Sequence, residues 1–120
     1  MNSVEYFKRE VKWTATEKKA ARKAFDKALE RELTAITTEV KRMLENMTDP
    51  SDVWGVEAYL SDRRKTIDRT YHYSYSDLLA VFSRLTVDGW LKEEDLDGIQ
   101  PEKIAEIRKG AVSLRRIFRD

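Results

Sequence analysis

The chain has 120 residues and no cysteine, its 23 Lys and Arg nearly balance its 22 Asp and Glu, and its net charge is +1. That balance excludes a long-range pull toward nucleic acid or an anionic membrane, and the lack of thiols excludes disulfides and thiol chemistry. With 38% charged and 41% hydrophobic residues, the composition fits a single all-α domain of amphipathic helices with solvated outer faces.

Residues 1–13, MNSVEYFKREVKW, lack the apolar stretch of a secretion signal and are expected to form a flexible tail. No run of about 18 apolar residues occurs, so no membrane span is expected and the expected location is cytoplasmic. The first helix is announced by Thr14-x-x-Glu17, a capping box. Neither Gly nor Pro interrupts Ala15 to Met47, which predicts one helix about 50 Å long. A compact globule of this length is only about 35 Å across, so the helix should overhang the body. Along its second half Leu29, Leu33, Ile36, Val40, Met43 and Met47 alternate in steps of 4 and 3, the pattern of a coiled-coil seam. A second copy of the chain is expected to cover that seam, giving an elongated homodimer. The alternative is that the later helices fold back over it.

Asp49 as N-cap, Pro50 at the first helical position and Asp52 in the first turn predict a second helix from Pro50. Around its axis Val53, Val56, Leu60, Ile67 and Tyr71 form one apolar stripe. Trp54 lies about 125° from the centre of that stripe, on a line shared with Glu57, Ala58, Ser61 and, at its edge, Arg64. The core does not need an indole there. Either a neighbouring helix or a second subunit covers it, or it is a recognition hot spot, since Trp and Arg most often dominate interface energetics.

In the following turn Tyr71 is expected in the core, while Tyr73 and Tyr75 pair apolar rings with polar tips that serve equally in a partly wet core or an interface. Ser74 or Ser76 can cap a third helix whose Leu78, Leu79, Val81, Phe82 and Leu85 predict burial on several sides, ended at Asp88-Gly89. Pro101 opens the last helix, with Ile104, Ile107, Ala111, Leu114 and Phe118 on one face and Gly110 as a candidate kink.

Chemistry has few candidates. His72 is the only histidine and reads as a solvated turn residue, so neither a metal site nor a Ser-His-Asp arrangement is expected. Glu93, Glu94, Asp95 and Asp97 cluster at a turn without EF-hand spacing and read as a solvated acidic turn. The four glycines are isolated from one another, so no phosphate loop, cofactor site or catalytic group is expected. Arg63, Arg64 and Lys65, and the later Arg108, Lys109, Arg115, Arg116 and Arg119, are interleaved with acids or core positions. They read as solvated faces, with weak nucleic-acid binding as the alternative that salt dependence would reveal.

The pattern of Trp54, then Arg64, Ile67-Asp68, Tyr71-x-Tyr73, Val81-Phe82 and Gly89 resembles the cyanobacterial fluorescence recovery protein family. Trp13, Glu17, Ala24-Phe25, Ala28 and Arg31-Glu32 are similar to that family's opening, and Asp95-Leu96 with Gly98-Ile99 to its last connection. The resemblance implies an all-α homodimer without enzymatic activity. It implies a partner as well: the family binds the photoactivated orange carotenoid protein and speeds its return to the resting form, which ends fluorescence quenching in photoprotection. Trp54 and Arg64 match the family's functional Trp and Arg, but its His and Asp are here Glu57 and Ala58. The turn reads Thr70-Tyr71-His72-Tyr73-Ser74 where the family has Lys-Tyr-Asp-Tyr-Arg. The partner-binding residues expected by resemblance are therefore Trp54, Glu57, Ala58, Ser61, Arg64, Tyr73 and Tyr75. A helical dimer that recognises an unrelated protein client is the alternative.

Overall fold

The computed structural model describes residues 11–118. Among them the chain forms four α-helices and no strand: α1 (Ala15–Glu45), α2 (Val53–Thr70), α3 (Leu78–Val87) and α4 (Pro101–Phe118). Short 3-10 turns at Pro50–Asp52 and Glu93–Leu96 lead into α2 and connect α3 to α4. The expected tail lies largely outside the described residues, and its last residue is not a tail. Trp13 is 9% exposed and donates its indole N–H to the Tyr75 carbonyl at 3.1 Å, because a ring this large contributes more as a lid on the core than in water.

The capping box forms as the sequence dictates: Thr14 Oγ1 accepts from the Glu17 amide at 3.1 Å and Glu17 Oε1 from the Thr14 amide at 3.0 Å. The Glu17 side chain is also fully buried and accepts from the Gln100 amide and Lys103 Nζ, each at 3.0 Å, tying the start of α4 to the start of α1. Capping and interdomain-like fastening thus share one carboxylate. At the other end α1 stops at Glu45, two residues short of the expected Met47, because the Asn46 side chain donates back to the Arg42 carbonyl at 2.7 Å.

Asp49 and Asp52 cap each other's turn. Asp49 accepts from the Ser51 amide at 2.8 Å, and Asp52 from the amides of Thr48 and Asp49 at 3.0 and 3.1 Å. This tight exchange turns Pro50–Asp52 into a 3-10 segment, so the α-helix begins at Val53, not Pro50.

The core is built where α3 meets α4 and the first half of α1. Leu78, Phe82 and Leu85 are fully buried, as the apolar circumference of α3 predicts. Ala21, Ala24 and Ala28 present small side chains along α1, and Phe25 closes the cluster. Neither serine caps α3: Ser74 and Ser76 bond to each other at 2.9 Å, and Asp77 occupies the N-cap position without a side-chain bond. Gly89, at φ +86°, ends α3 as expected, with the Trp90 amide reaching back to the Leu85 carbonyl at 2.9 Å.

Gly110 does not kink α4, which runs unbroken through it. Its missing Cβ lets α4 press against α3: a Cβ there would stand 2.3 Å from Ser83 Oγ, which donates to the Leu79 and Ile107 carbonyls. The acidic turn also differs from expectation. Asp95 is held by Arg31 at 2.6 Å and accepts from the Lys92 amide at 2.8 Å, so it fastens the connection to α1.

No residue of α1 beyond Glu32 is buried. The described body is 61 by 30 by 22 Å, and α2 runs back along the overhanging half of α1. None of its helices is long and apolar enough to cross a membrane.

Candidate functional site

Position around α2 is decided by two residues that point inward. Val56 is 7% exposed, and Arg63 donates to Glu32 of α1 at 2.5 Å. With those inward, the opposite line faces solvent. Trp54 is 69% exposed, and Glu57, Ala58, Ser61 and Arg64 are exposed beside it. Trp54 and Arg64 stand about 15 Å apart along the helix. Arg64 makes no ion pair or hydrogen bond among the described residues, although Arg63, its neighbour in sequence, pairs with Glu32.

The apolar stripe expected to bury α2 is only partly covered within the chain. Val53 and Leu60 are each 42% exposed, since α2 meets α1 alone along this stretch and a single helix covers little of its circumference. They leave part of that stripe, on a different face from Trp54, open to solvent. On α1, Leu33 is 48% exposed, while Leu29, Ile36, Val40, Met43 and Met47 are partly buried where α2 runs back along this half of the helix, so the alternative of later helices folding back is met in part. Leu44, which the heptad spacing omits, is 49% exposed and adds to the same open surface. Its signal was the single apolar residue next to a seam position.

Tyr73 and Tyr75 lie at the other end of α2, about 25 Å from the Trp54 turn, so one chain does not bring them into the same patch. Tyr71 is half-buried; its ring meets Phe25 edge-on at 5.4 Å and its hydroxyl donates to Glu32 at 2.9 Å. Burial first, and that bond second, hold its ionisation far above the usual tyrosine range. Tyr73 packs edge-on against Phe25 at 4.9 Å under the Arg22 guanidinium at 4.6 Å, and burial pushes its hydroxyl up to about 12. Tyr75 lies 5.9 Å from Trp13 with Lys18 over its ring. These tyrosines form an aromatic cap on the core, of which Tyr75 is the most exposed member.

His72 is exposed and its Nε2 lies 3.5 Å from Asp77. Among the described residues no group of three or more His, Cys, Asp or Glu is placed to hold a metal ion. Sequence reasoning singled out Glu17 as a capping-box residue and, with Arg31-Glu32, as a point of resemblance; their bonds to Lys103, Asp95, Arg63 and Tyr71 join elements far apart in the chain, which no local pattern reveals.

The described chain is thus an elongated, all-α protein with a long first helix and a second helix that displays an indole and a guanidinium to solvent. Residues 13–111 match the family described as photoprotection regulator fluorescence recovery protein, and the chain belongs to that family. It is 29% identical over 99 residues to the fluorescence recovery protein of Synechocystis sp., covering 82% of this chain and 91% of that protein. The solved structure of the Fremyella diplosiphon fluorescence recovery protein is 34% identical and superposes with a TM-score of 0.79, over 84% of this chain and 99% of that one. The Synechocystis structure gives the same TM-score and coverage at 29% identity.

Proposed function

We propose that the protein is a cytoplasmic, homodimeric, non-enzymatic regulator that grips the photoactivated orange carotenoid protein through the outward line of α2 and speeds its return to the resting form. The observation that carries this reading is the 69% exposure of Trp54 on a line with unpaired Arg64. Leaving an indole in water forgoes apolar burial worth about 1.5–3 kcal/mol, which a bound client would recover. A second copy is part of this reading because Leu33 and Leu44 leave 48% and 49% of their surfaces exposed on α1. In the dimer they would be covered by the partner's matching helix. No covalent step is required. A regulator shifts a client's equilibrium only by its preference for one conformer, and speeds relaxation only by binding the transition state better than the starting state.

Glu57 and Ala58 favour a second reading, in which the same face recognises a different protein client. Both are exposed at the positions where the family's His and Asp are expected. Replacing a carboxylate by a methyl removes an acceptor, and Glu for His adds negative charge. A partner surface fitted to the usual pair would lose a few kcal/mol, about the sum of two hydrogen bonds to charged groups.

Co-elution with illuminated orange carotenoid protein tests the first reading. The regulator should shift the illuminated client to a larger complex and leave the dark client unshifted, and Trp54→Ala should abolish the shift. Equal binding of both forms would contradict the mechanism, and no binding of either form, together with capture of another protein through Trp54, would support the second reading.

A further inference from the structure

Arg63 and Arg64 are adjacent in sequence and about 100° apart around α2, yet their surroundings are opposite. Arg64 stands in solvent, while Arg63 Nη2 donates to Glu32 Oε2 at 2.5 Å. The other oxygen of Glu32 accepts the Tyr71 hydroxyl at 2.9 Å. The Glu32 side chain is 3% exposed. Both oxygens of one buried carboxylate on α1 are thus held by two groups of the α2 segment, one in its second half and one at its C-cap.

Apolar packing of α2 within the chain is thin by comparison. Val56 is its one buried residue, and Val53 and Leu60 remain 42% exposed. A helix seated on one valine, with Tyr59 and Ile67 only partly buried beside it, can turn or slide at modest cost. A buried carboxylate cannot give up its donors so cheaply, because each broken bond leaves a desolvated polar group unsatisfied.

We propose that Glu32 is a positioning residue: through Arg63 and Tyr71 it fixes the rotation and height of α2, and so aims Trp54, Ser61 and Arg64 outward. Its consequence for client binding rests on the reading of that line as the client-binding face; the aiming itself is a property of this chain alone. Replacing a buried ion pair by apolar groups of similar size often leaves stability nearly unchanged. That separates the proposal from a merely stabilising role.

The chain has no cysteine, so single introduced thiols report which side of α2 faces water. Ser61→Cys should react rapidly with dithionitrobenzoate and Val56→Cys slowly. When Glu32→Leu with Arg63→Met is added and circular dichroism shows the helix content retained, the ratio of the two rates should fall by about tenfold or more, as expected for freed local opening. An unchanged ratio overturns the proposal. If that pair does not keep its helix content, Arg63→Lys and Tyr71→Phe carry the test separately; each should lower the ratio, and no change in either overturns the proposal. Failure of the parent protein to bind illuminated orange carotenoid protein would remove the proposed function and leave the thiol ratio untouched, so the two claims fail separately.

Discussion

Gly110 shows how one atom decides the approach of two helices. A Cβ at that position would meet Ser83 Oγ at 2.3 Å and Ser83 Cβ at 2.8 Å. Gly110→Ala should therefore cost about 1–3 kcal/mol through overpacking, despite the better helix propensity of Ala, and chemical denaturation would show it. The sequence offered Gly110 only as a break in a pattern, because the glycine's reason lies on another helix. Buried carboxylates obey the same logic. Burial alone would push Glu17 up, but the Thr14 and Gln100 amides and Lys103 hold it below its ordinary 4.5, while Arg31 holds Asp95 below its ordinary 3.8. Carboxyls lowered on folding stabilise the fold above their unfolded values and lose that contribution as the pH falls through their folded ones. The denaturation midpoint should thus be level at neutral pH and drop below about pH 4, with a shallower drop in Asp95→Asn. On the outward line, Glu57→His with Ala58→Asp should raise client binding if those two positions weaken it; measured affinity unchanged by the pair would shift attention to the turn at His72.

Helix boundaries and faces were legible wherever a local signal set them. The Thr14 box, the Gly89 stop and the buried circumference of α3 follow from short patterns and stand in the structure, while the Asp49–Pro50 entry forms a 3-10 turn that puts the start of α2 at Val53. The outward placement of Trp54 was legible as well, since a helical wheel needs nothing beyond spacing. What spacing misses is which helix covers which. The stripe through Val53 and Leu60 reads as buried by periodicity, yet α1 alone leaves both 42% exposed, and the bonds from Glu32 to Arg63 and Tyr71 span 31 and 39 residues of chain. The open seam carries its own prediction. Leu33→Glu with Ile36→Glu should place two charges against the partner helix and yield monomers or unfolded chains in light scattering, whereas a dimer that survives both charges would place the interface elsewhere.

At the scale of the whole molecule, the described chain has a long spine with unequal ends. The first half of α1 is locked into a body by Glu17, Phe25 and Arg31, and the second half projects with α2 as an arm. The described chain is twice as long as it is wide, at 61 by 30 Å. In solution it should scatter as about twice its 14.1 kDa chain mass at micromolar concentration, where a lone chain would leave Leu33 and Leu44 about half in water. A persistent monomer would contradict that assembly. The account turns on whether the arm's outer face acts on a client, and the direct measurement is the rate at which illuminated orange carotenoid protein returns from red to orange in the dark. Added protein should accelerate the return, and Trp54→Ala or Arg64→Ala should each remove most of the acceleration, as loss of a hot spot worth about 2 kcal/mol would. An unchanged rate with the parent protein, or an acceleration that both variants retain, would contradict it.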